Sequence, residues 1–332
     1  MHLQAIKYER GKLEILNQLL LPTHWEYESI TSVQEAFDVI QQMKVRGAPI
    51  IALTALLSIA IEIQHVDNLI HEGRLRRLSK LDFFHYLEHS CNHLCTARPT
   101  AVNIRRESDA FLAVFDKWLH DKEITLEESV VLVEQYLSSL LAKDVECNKA
   151  IGQHGCDHIL RLNPGIQRVN VLTICNTGSL ATAGYGTALG VVRSLFGHDR
   201  LNRCYFVETR PYNQGSRLTA SELLHDCIPA TLICDSMISP LMRKEQIHAV
   251  VVGVDRMAAN GDFANKIGTQ QMGLIAHHYK VPFFAACPLS SVDLKTSSGK
   301  DIPVELRQAK EMQFVGDVQI APIGTLVWKR KV

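Results

Sequence analysis

The spacing of apolar residues divides the chain into two textures. From about residue 31 to 145, apolar side chains recur at three- and four-residue intervals, the period of one helix face. Ser32 stands as a cap before Val33 to Met43, and Leu81 to Cys95, Ser108 to His120 and Leu126 to Cys147 are further periodic segments. Ala48 to Ile63 is apolar nearly all round, which predicts a helix buried on every side. Ahead of these, Leu3, Ala5 and Tyr8, then Leu13, Ile15 and Leu16, alternate weakly on either side of Gly11, which predicts a short hairpin.

From about residue 168 the period changes. Short continuous apolar runs at Val169 to Ile174, Cys204 to Val207, Ala230 to Ile233, Ala249 to Val254 and Phe283 to Ala286 alternate with helical stretches. Those stretches are Ser179 to Leu195, Arg217 to Asp226, Pro240 to Gln246 and Gly268 to Tyr279. Strand alternating with helix predicts a parallel sheet wrapped by helices, and runs without polar positions fit strands covered on both faces. The expected class is therefore α/β, with a smaller, mainly helical N-terminal domain over 1–150 and the sheet domain over 151–332. Asn163-Pro164-Gly165 is a turn signal in the boundary region, 145–167.

Composition narrows the function classes. The chain of 332 residues has 35 Lys+Arg against 35 Asp+Glu, a balance that argues against a general nucleic-acid or anionic-membrane binder. The best candidate for a membrane span, Gly47 to Ile61, is 15 residues without a charge; a span needs roughly 20. Lys7, Glu9 and Arg10 stand where a secretory signal needs its apolar region, so export is not expected. Nine scattered cysteines, an odd number, fit free thiols in a reducing compartment, the cytoplasm, rather than a disulfide framework. Cys91-x-His93-x-Cys95 and the group His154, Cys156 and His158 match no common zinc spacing.

Ligands of open parallel sheets bind beyond the carboxyl ends of the strands, and the unusual polar residues gather there. Cys175-Asn176-Thr177-Gly178-Ser179 follows the first apolar run, Glu208 to Gly215 the second, and Asp255-Arg256 with Asn265-Lys266 the fourth. Cys175 is expected before a turn that opens a helix with Thr177 or Ser179 as cap, where free amides and the helix dipole bind anions and favour a thiolate. Cys175 as a small buried hydrophobe is the alternative. Asp255 follows three valines and precedes Met257-Ala258-Ala259, an apolar setting that would raise a carboxyl pKa and suit a proton donor; a plain helix cap is the alternative. Lys266 and Arg256 are the cations beside it in sequence. In the first half, Arg46-Gly47-Ala48 precedes the apolar helix and Arg98 precedes a proline-initiated one, both suited to clamping a phosphate. Gly184-x-Gly186-x-x-x-Gly190 falls inside an expected helix and lacks dinucleotide spacing.

The stretches VRGAPIIAL, TARPTAVN, ICNTGSLATAGYGTALGVVRSL, ETRPYNQGSRLTASEL and GVDRMAANGDFANKIGT resemble the methylthioribose-1-phosphate isomerase family. That family shares a wider group with the alpha, beta and delta regulatory subunits of translation initiation factor 2B and with ribose-1,5-bisphosphate isomerases. The resemblance implies a Rossmann-like C-terminal domain and a homodimer in cytoplasm and nucleus. It implies a small phosphorylated sugar as substrate and no metal or nucleotide cofactor. It places the catalytic pair on Cys175 and Asp255, and substrate contacts on Arg46, Gly47, Ala48, Arg98, Gln214, Asn265 and Lys266. Gln214 is not singled out by the residues themselves over Tyr212 or Glu208. A non-catalytic regulatory subunit, or an isomerase of ribose 1,5-bisphosphate, stands as the alternative. Three departures from the family pattern occur: Ile174 in place of a histidine, Val254 in place of an alanine, and a chain ending shortly after Trp328 where family members continue.

Overall fold

The computed structural model describes residues 3–71, 79–98, 102–304 and 307–328, and the side chains of all of these except 65–71. Contacts divide the chain into two units, Leu3–Cys147 with Ser179–Gly184, and Asn148–Gly178 with the residues from Tyr185 onward. The class is α/β: a mainly helical first unit and a Rossmann-like parallel sheet in the second.

The first unit opens with the expected hairpin. β1 (Ile6–Glu9) and β2 (Lys12–Leu16) pair antiparallel around Gly11, whose φ of 82° explains the glycine. A third strand, β3 (Tyr27–Ile30), pairs with β2; its sequence Tyr-Glu-Ser-Ile buries only Ile30 fully, so it carries almost no hydrophobic alternation. Helix α1 (Val33–Gln41) begins where Ser32 accepts a hydrogen bond from Glu35 N at 3.2 Å. Helix α2 (Ala48–His71) is the centre of this unit: from Ile50 to Ile61 every apolar side chain is buried. Each fully buried Leu or Ile contributes about 1.5–3 kcal/mol, so this one helix dominates the unit's hydrophobic stabilisation. Helix α3 (Lys80–Cys95) starts on a Ser79–Asp82 capping box and helix α4 (Val102–His120) follows. Helix α5 (Leu126–Leu162) runs 37 residues, past the expected end at Cys147, because Cys156 and Ile159 continue its apolar face.

In the second unit β4 (Val169–Thr173), α6 (Ala188–Gly197), β5 (Leu201–Val207), α7 (Ala220–His225), β6 (Ala230–Ile233), α8 (Ile238–Lys244) and β7 (Ala249–Gly253) follow in turn. After them come β8 (Arg256–Ala258), β9 (Phe263–Ala264), α9 (Thr269–His278), β10 (Phe283–Ala286), β11 (Val292–Asp293), α10 (Lys310–Gln313), β12 (Phe314–Val315) and β13 (Val318–Gln319). The main sheet has the order β10-β7-β4-β5-β6, parallel throughout. Alternate side chains serve opposite faces. Val169, Val171, Cys204 and Val251 pack with α6 and the end of α5; Leu172, Tyr205, Val250 and Val252 pack with Ile238, Met242, Met272 and Ala276 of α8 and α9. The chain winds outward in one direction from β4 through β5 and β6, and in the other through β7 and β10. The topological switch point, where such sheets bind ligands, therefore lies between β4 and β7.

One element departs from expectation in a way that affects the site. Ser179 to Leu195 is not one helix. Ser179–Ala181 is a single 3₁₀ turn, residues 182–187 form a loop, and α6 begins at Ala188. Gly184 and Gly186 lie in that loop, and Gly186 has a φ of 80°, a conformation no helix accommodates. Among the described residues no helix is long and apolar enough to cross a membrane.

Candidate active site

The turn after β4 is over-determined. Cys175 has a φ of 67°, unusual for a residue with a side chain, and it is buried, 7% exposed. Its backbone is held from both sides: Cys175 N donates to Thr209 Oγ1 at 3.0 Å, and Thr219 Oγ1 donates to Cys175 O at 2.5 Å. Thr209 in turn donates its hydroxyl to Val207 O, and its N–H to Asp235 Oδ1 at 2.9 Å. Thr177 O accepts from Thr187 N at 2.8 Å, so the 185–187 loop lies along the turn. A Cβ on Gly186 would stand 2.4 Å from Gly178 Cα, and one on Gly253 would stand 2.6 Å from Thr177 Cγ2. Only glycines allow these approaches.

The expected helix start at Thr177–Ser179 is absent, so no helix dipole is aimed at Cys175 from that position. A buried ion-pair network stands behind the turn instead. Asn176 Nδ2 donates to Glu222 Oε1 at 2.7 Å, and Arg193 Nη2 donates to Glu222 Oε2 at 2.7 Å. Arg193 Nε also reaches Asp226 Oδ2 at 2.8 Å. Burial works against charge on Arg193, and the carboxylates of Glu222 and Asp226 outweigh it, so the guanidinium is held firmly cationic. Sequence reasoning missed Thr209, Thr219, Glu222 and Arg193. One signal was present: Arg193 is the lone charge in the apolar run Ala188 to Leu195, and a buried cation must find a partner.

The turn after β7 is built differently. β8 and β9 pair antiparallel, Arg256 opposite Ala264, and Asp255 N donates to Ala264 O at 2.9 Å. This places Asp255 beside Asn265, the residue next to Lys266. β11 pairs parallel with β8 and completes a small second sheet. Asp255 is exposed, not set in the expected apolar environment, because the chain turns outward after Val254 into this hairpin. Arg256 is drawn away from it to Asp293, Nε to Oδ2 at 3.2 Å. Asn265 Nδ2 donates to Thr269 Oγ1 at 3.0 Å at the start of α9, and Lys266 is half-buried.

Gln214 ends the loop after β5, where the helix starts with a π-helical turn, Gly215–Thr219, a geometry frequent at functional sites. A Cβ on Gly215 would collide with Val207 O at 1.8 Å, which seats Gln214 against the strand end. Gln214 is 2% exposed. Its Oε1, together with Thr173 Oγ1 and Thr177 Oγ1, is buried with no hydrogen-bond partner among the described residues. Buried polar atoms left open on one sheet edge suit a polar ligand.

Cys175, Gln214 and Asp255 thus follow strands at the carboxyl edge of one sheet, and Asn265 and Lys266 follow β9 of the small second sheet, which the bond from Asp255 N to Ala264 O joins to that edge. Arg46, Gly47, Ala48 and Arg98 belong to the first unit. Arg46 and Ala48 are each 8% exposed. Gly47 has a φ of 115°, and a Cβ there would lie 2.7 Å from Ala181. Arg98 is half-buried, between α3 and α4; Pro99, Thr100 and Ala101 of its motif lie outside the described residues. Ile174 is 1% exposed and packs in the apolar cluster with Met272 and Ala276, its Cδ1 3.0 Å from the place of a Cβ on Gly268. The isoleucine is therefore core on the α9 side. Burial pushes the thiols of Cys91 and Cys204 up to about 12 and Cys156 up to about 11, which marks these three as structural. His93 stacks on Phe37 with ring centroids 4.4 Å apart.

Residues 44–332 match the model of the initiation factor 2 subunit family. A methylthioribose-1-phosphate isomerase of Trichoplax adhaerens is 47% identical over 329 residues, covering 98% of this chain and 88% of that relative. Similar solved structures include the following two. The 5-methylthioribose 1-phosphate isomerase from Pyrococcus horikoshii OT3 superposes with a TM-score of 0.82 at 34% identity, covering 97% of this chain and 85% of that one. A chain from A. fulgidus described as translation initiation factor eIF-2B, subunit delta, gives 0.77 at 34% identity, covering 98% and 89%.

Proposed function

We propose that this chain, which belongs to the initiation factor 2 subunit family, isomerises 5-methylthioribose 1-phosphate to 5-methylthioribulose 1-phosphate in methionine salvage. The similarity to methylthioribose-1-phosphate isomerases over nearly the whole chain carries the reading. The grouping of Cys175 and Asp255 at the switch point of the sheet supports it.

The substrate carries phosphate on its anomeric oxygen and is held as a closed ring. Isomerisation needs a proton delivered to the ring oxygen, removal of the proton on the C2 hydroxyl, and net movement of one hydrogen from C2 to C1. Asp255 supplies the first proton and shuttles the second. Cys175, fixed in its turn, acts at C1–C2. Gln214 and Asn265 hold hydroxyls, and Arg46, Arg98 and Lys266 hold the phosphate and hydroxyls through charge-assisted bonds. Gly47 and Ala48 give close backbone approach. The working domains are the helical one over 1–150 and the catalytic one over 151–332. The protein acts as a homodimer in cytoplasm and nucleus; its nine free thiols suit a reducing compartment.

The deciding assay is phosphorus NMR of the purified protein with methylthioribose 1-phosphate, beside Cys175→Ser and Asp255→Asn. Turnover by the wild type, lost in both variants, is expected. A folded wild type that leaves the substrate resonance unchanged overturns the reading. In deuterium oxide, label at C1 of the product identifies proton transfer through solvent, and its absence identifies a direct C2-to-C1 shift or a shielded proton.

A further inference from the structure

The carboxylate of Glu222 is fully buried and divides its oxygens between the turn after β4 and a cation. Oε1 takes the hydrogen bond from Asn176, the residue after Cys175. Oε2 takes the one from Arg193. The backbone of the turn runs directly over this group: a Cβ on Gly178 would lie 2.0 Å from Oε2. Arg193 reaches the other side of the same turn. Its Nη1 donates to Tyr185 O at 2.6 Å, and two residues on, Thr187 N donates to Thr177 O. One buried ion pair therefore ties down Asn176, Thr177 and Gly178. Burying a carboxylate and a guanidinium is costly even when they are paired, and an apolar pair of similar volume often folds as well. What an apolar pair does not supply here is an acceptor for Asn176 and a donor for Tyr185.

We propose that Glu222, with Arg193 as counter-ion, is the positioning residue for Cys175: through Asn176 it fixes the turn so that the left-handed residue presents its thiol to C1–C2 of the sugar. This rests on the reading of Cys175 given above. Glu222 acts on Cys175 through Asn176 and the backbone it holds.

Three variants separate positioning from plain stability. Asn176→Ser cuts the link and leaves the ion pair. Glu222→Gln removes the charge at constant size. Asp226→Asn weakens the second carboxylate on Arg193, which meets Nε and Nη2, and leaves the link from Asn176 to Glu222 in place. The measurements are kcat and KM, the melting temperature, and the rate at which iodoacetamide alkylates Cys175 relative to exposed Cys227, read by mass spectrometry. In Asn176→Ser and Glu222→Gln, kcat falls at least tenfold with KM within threefold. Cys175 labelling relative to Cys227 rises at least threefold as the turn loosens. Asp226→Asn lowers the melting temperature while kcat and the labelling ratio stay within threefold of wild type. Unchanged kcat and labelling in folded Asn176→Ser overturns the proposal, and so does an equal loss of kcat in Asp226→Asn. If the wild type proves inactive, the functional reading fails by itself, and the labelling ratio still decides whether Glu222 holds Cys175. If Glu222→Gln does not fold, Asn176→Ser carries the test.

Discussion

The turns after β4 and β7 leave neighbouring strands of one sheet and are built in opposite ways. The first is buried, bent through a left-handed cysteine, squeezed between glycines and backed by an ion pair. The second is exposed, and a three-stranded platform too short to have a core of its own holds it. The contrast matches the two chemical duties proposed for Cys175 and Asp255. A group that must stand at a fixed distance from a carbon atom benefits from being locked. A group that must exchange protons benefits from contact with water until substrate arrives.

Four substitutions test that contrast. The largest effect is expected from Asp255→Asn, which should cut kcat about 10³-fold while the melting temperature stays within about 2 °C, since the side chain is exposed. A large loss of stability there would mean that the second turn is as structural as the first. Gly178→Ala comes next: its Cβ would meet Glu222 at 2.0 Å, and urea unfolding should show a loss of about 3 kcal/mol, the upper range for overpacking. Gly261→Ala, in the loop joining β8 to β9, has a φ of 90° but nothing within 4 Å of its Cβ. It should lose about 1 kcal/mol from backbone conformation alone. A cost for Gly178→Ala no greater than for Gly261→Ala would erase the distinction.

The smallest effect concerns Asp293, which anchors the platform from β11. The hydrogen bond from Thr296 holds its carboxyl below the usual aspartate range; burial opposes this, and Lys295 N and the Arg256 charge reinforce it. A carboxyl depressed in the folded state stabilises above its unfolded pKa, near 4, and loses that contribution as pH falls through the depressed value. Asp293→Asn should therefore cost less than about 1 kcal/mol at pH 7. The difference from wild type should close as the solution is acidified below pH 4, as thermal melts across pH would show.

The same contrast explains what could be read from residues alone. β6 and β10 coincide with their apolar runs to the residue, and β4, β5 and β7 differ by a few positions, because continuous apolar runs flanked by turns have one reading. Ser179 to Leu195 departs from the single helix its pattern predicts, although its small and apolar residues satisfy helical periodicity. The left-handed conformations of Tyr185 and Gly186 that break it arise from the close packing of Gly186 on Gly178. β8, β9 and β11 are two or three residues long and carry too few positions for any period. Cys175 and Asp255 were marked by standing at strand ends. Glu222 and Arg193 were not: Glu222 alone looks like a solvated charge, and Arg193, though the lone charge of an apolar run, lies 29 residues from the partner it needs.

The strand order also sets a clock. A ribosome that has just added Cys175 must add another eighty residues before Asp255 exists. At about 5–20 residues per second, that takes roughly 4–16 s. β5 is available much sooner to pair with β4 on one side, and Thr209 and Thr219 come with it. The other edge of β4 waits for β7, with its backbone hydrogen-bonding groups open to any strand that reaches it first. For those seconds the nascent chain carries a half-built sheet, and a chaperone that shields this edge would act at the strand that leads to Cys175.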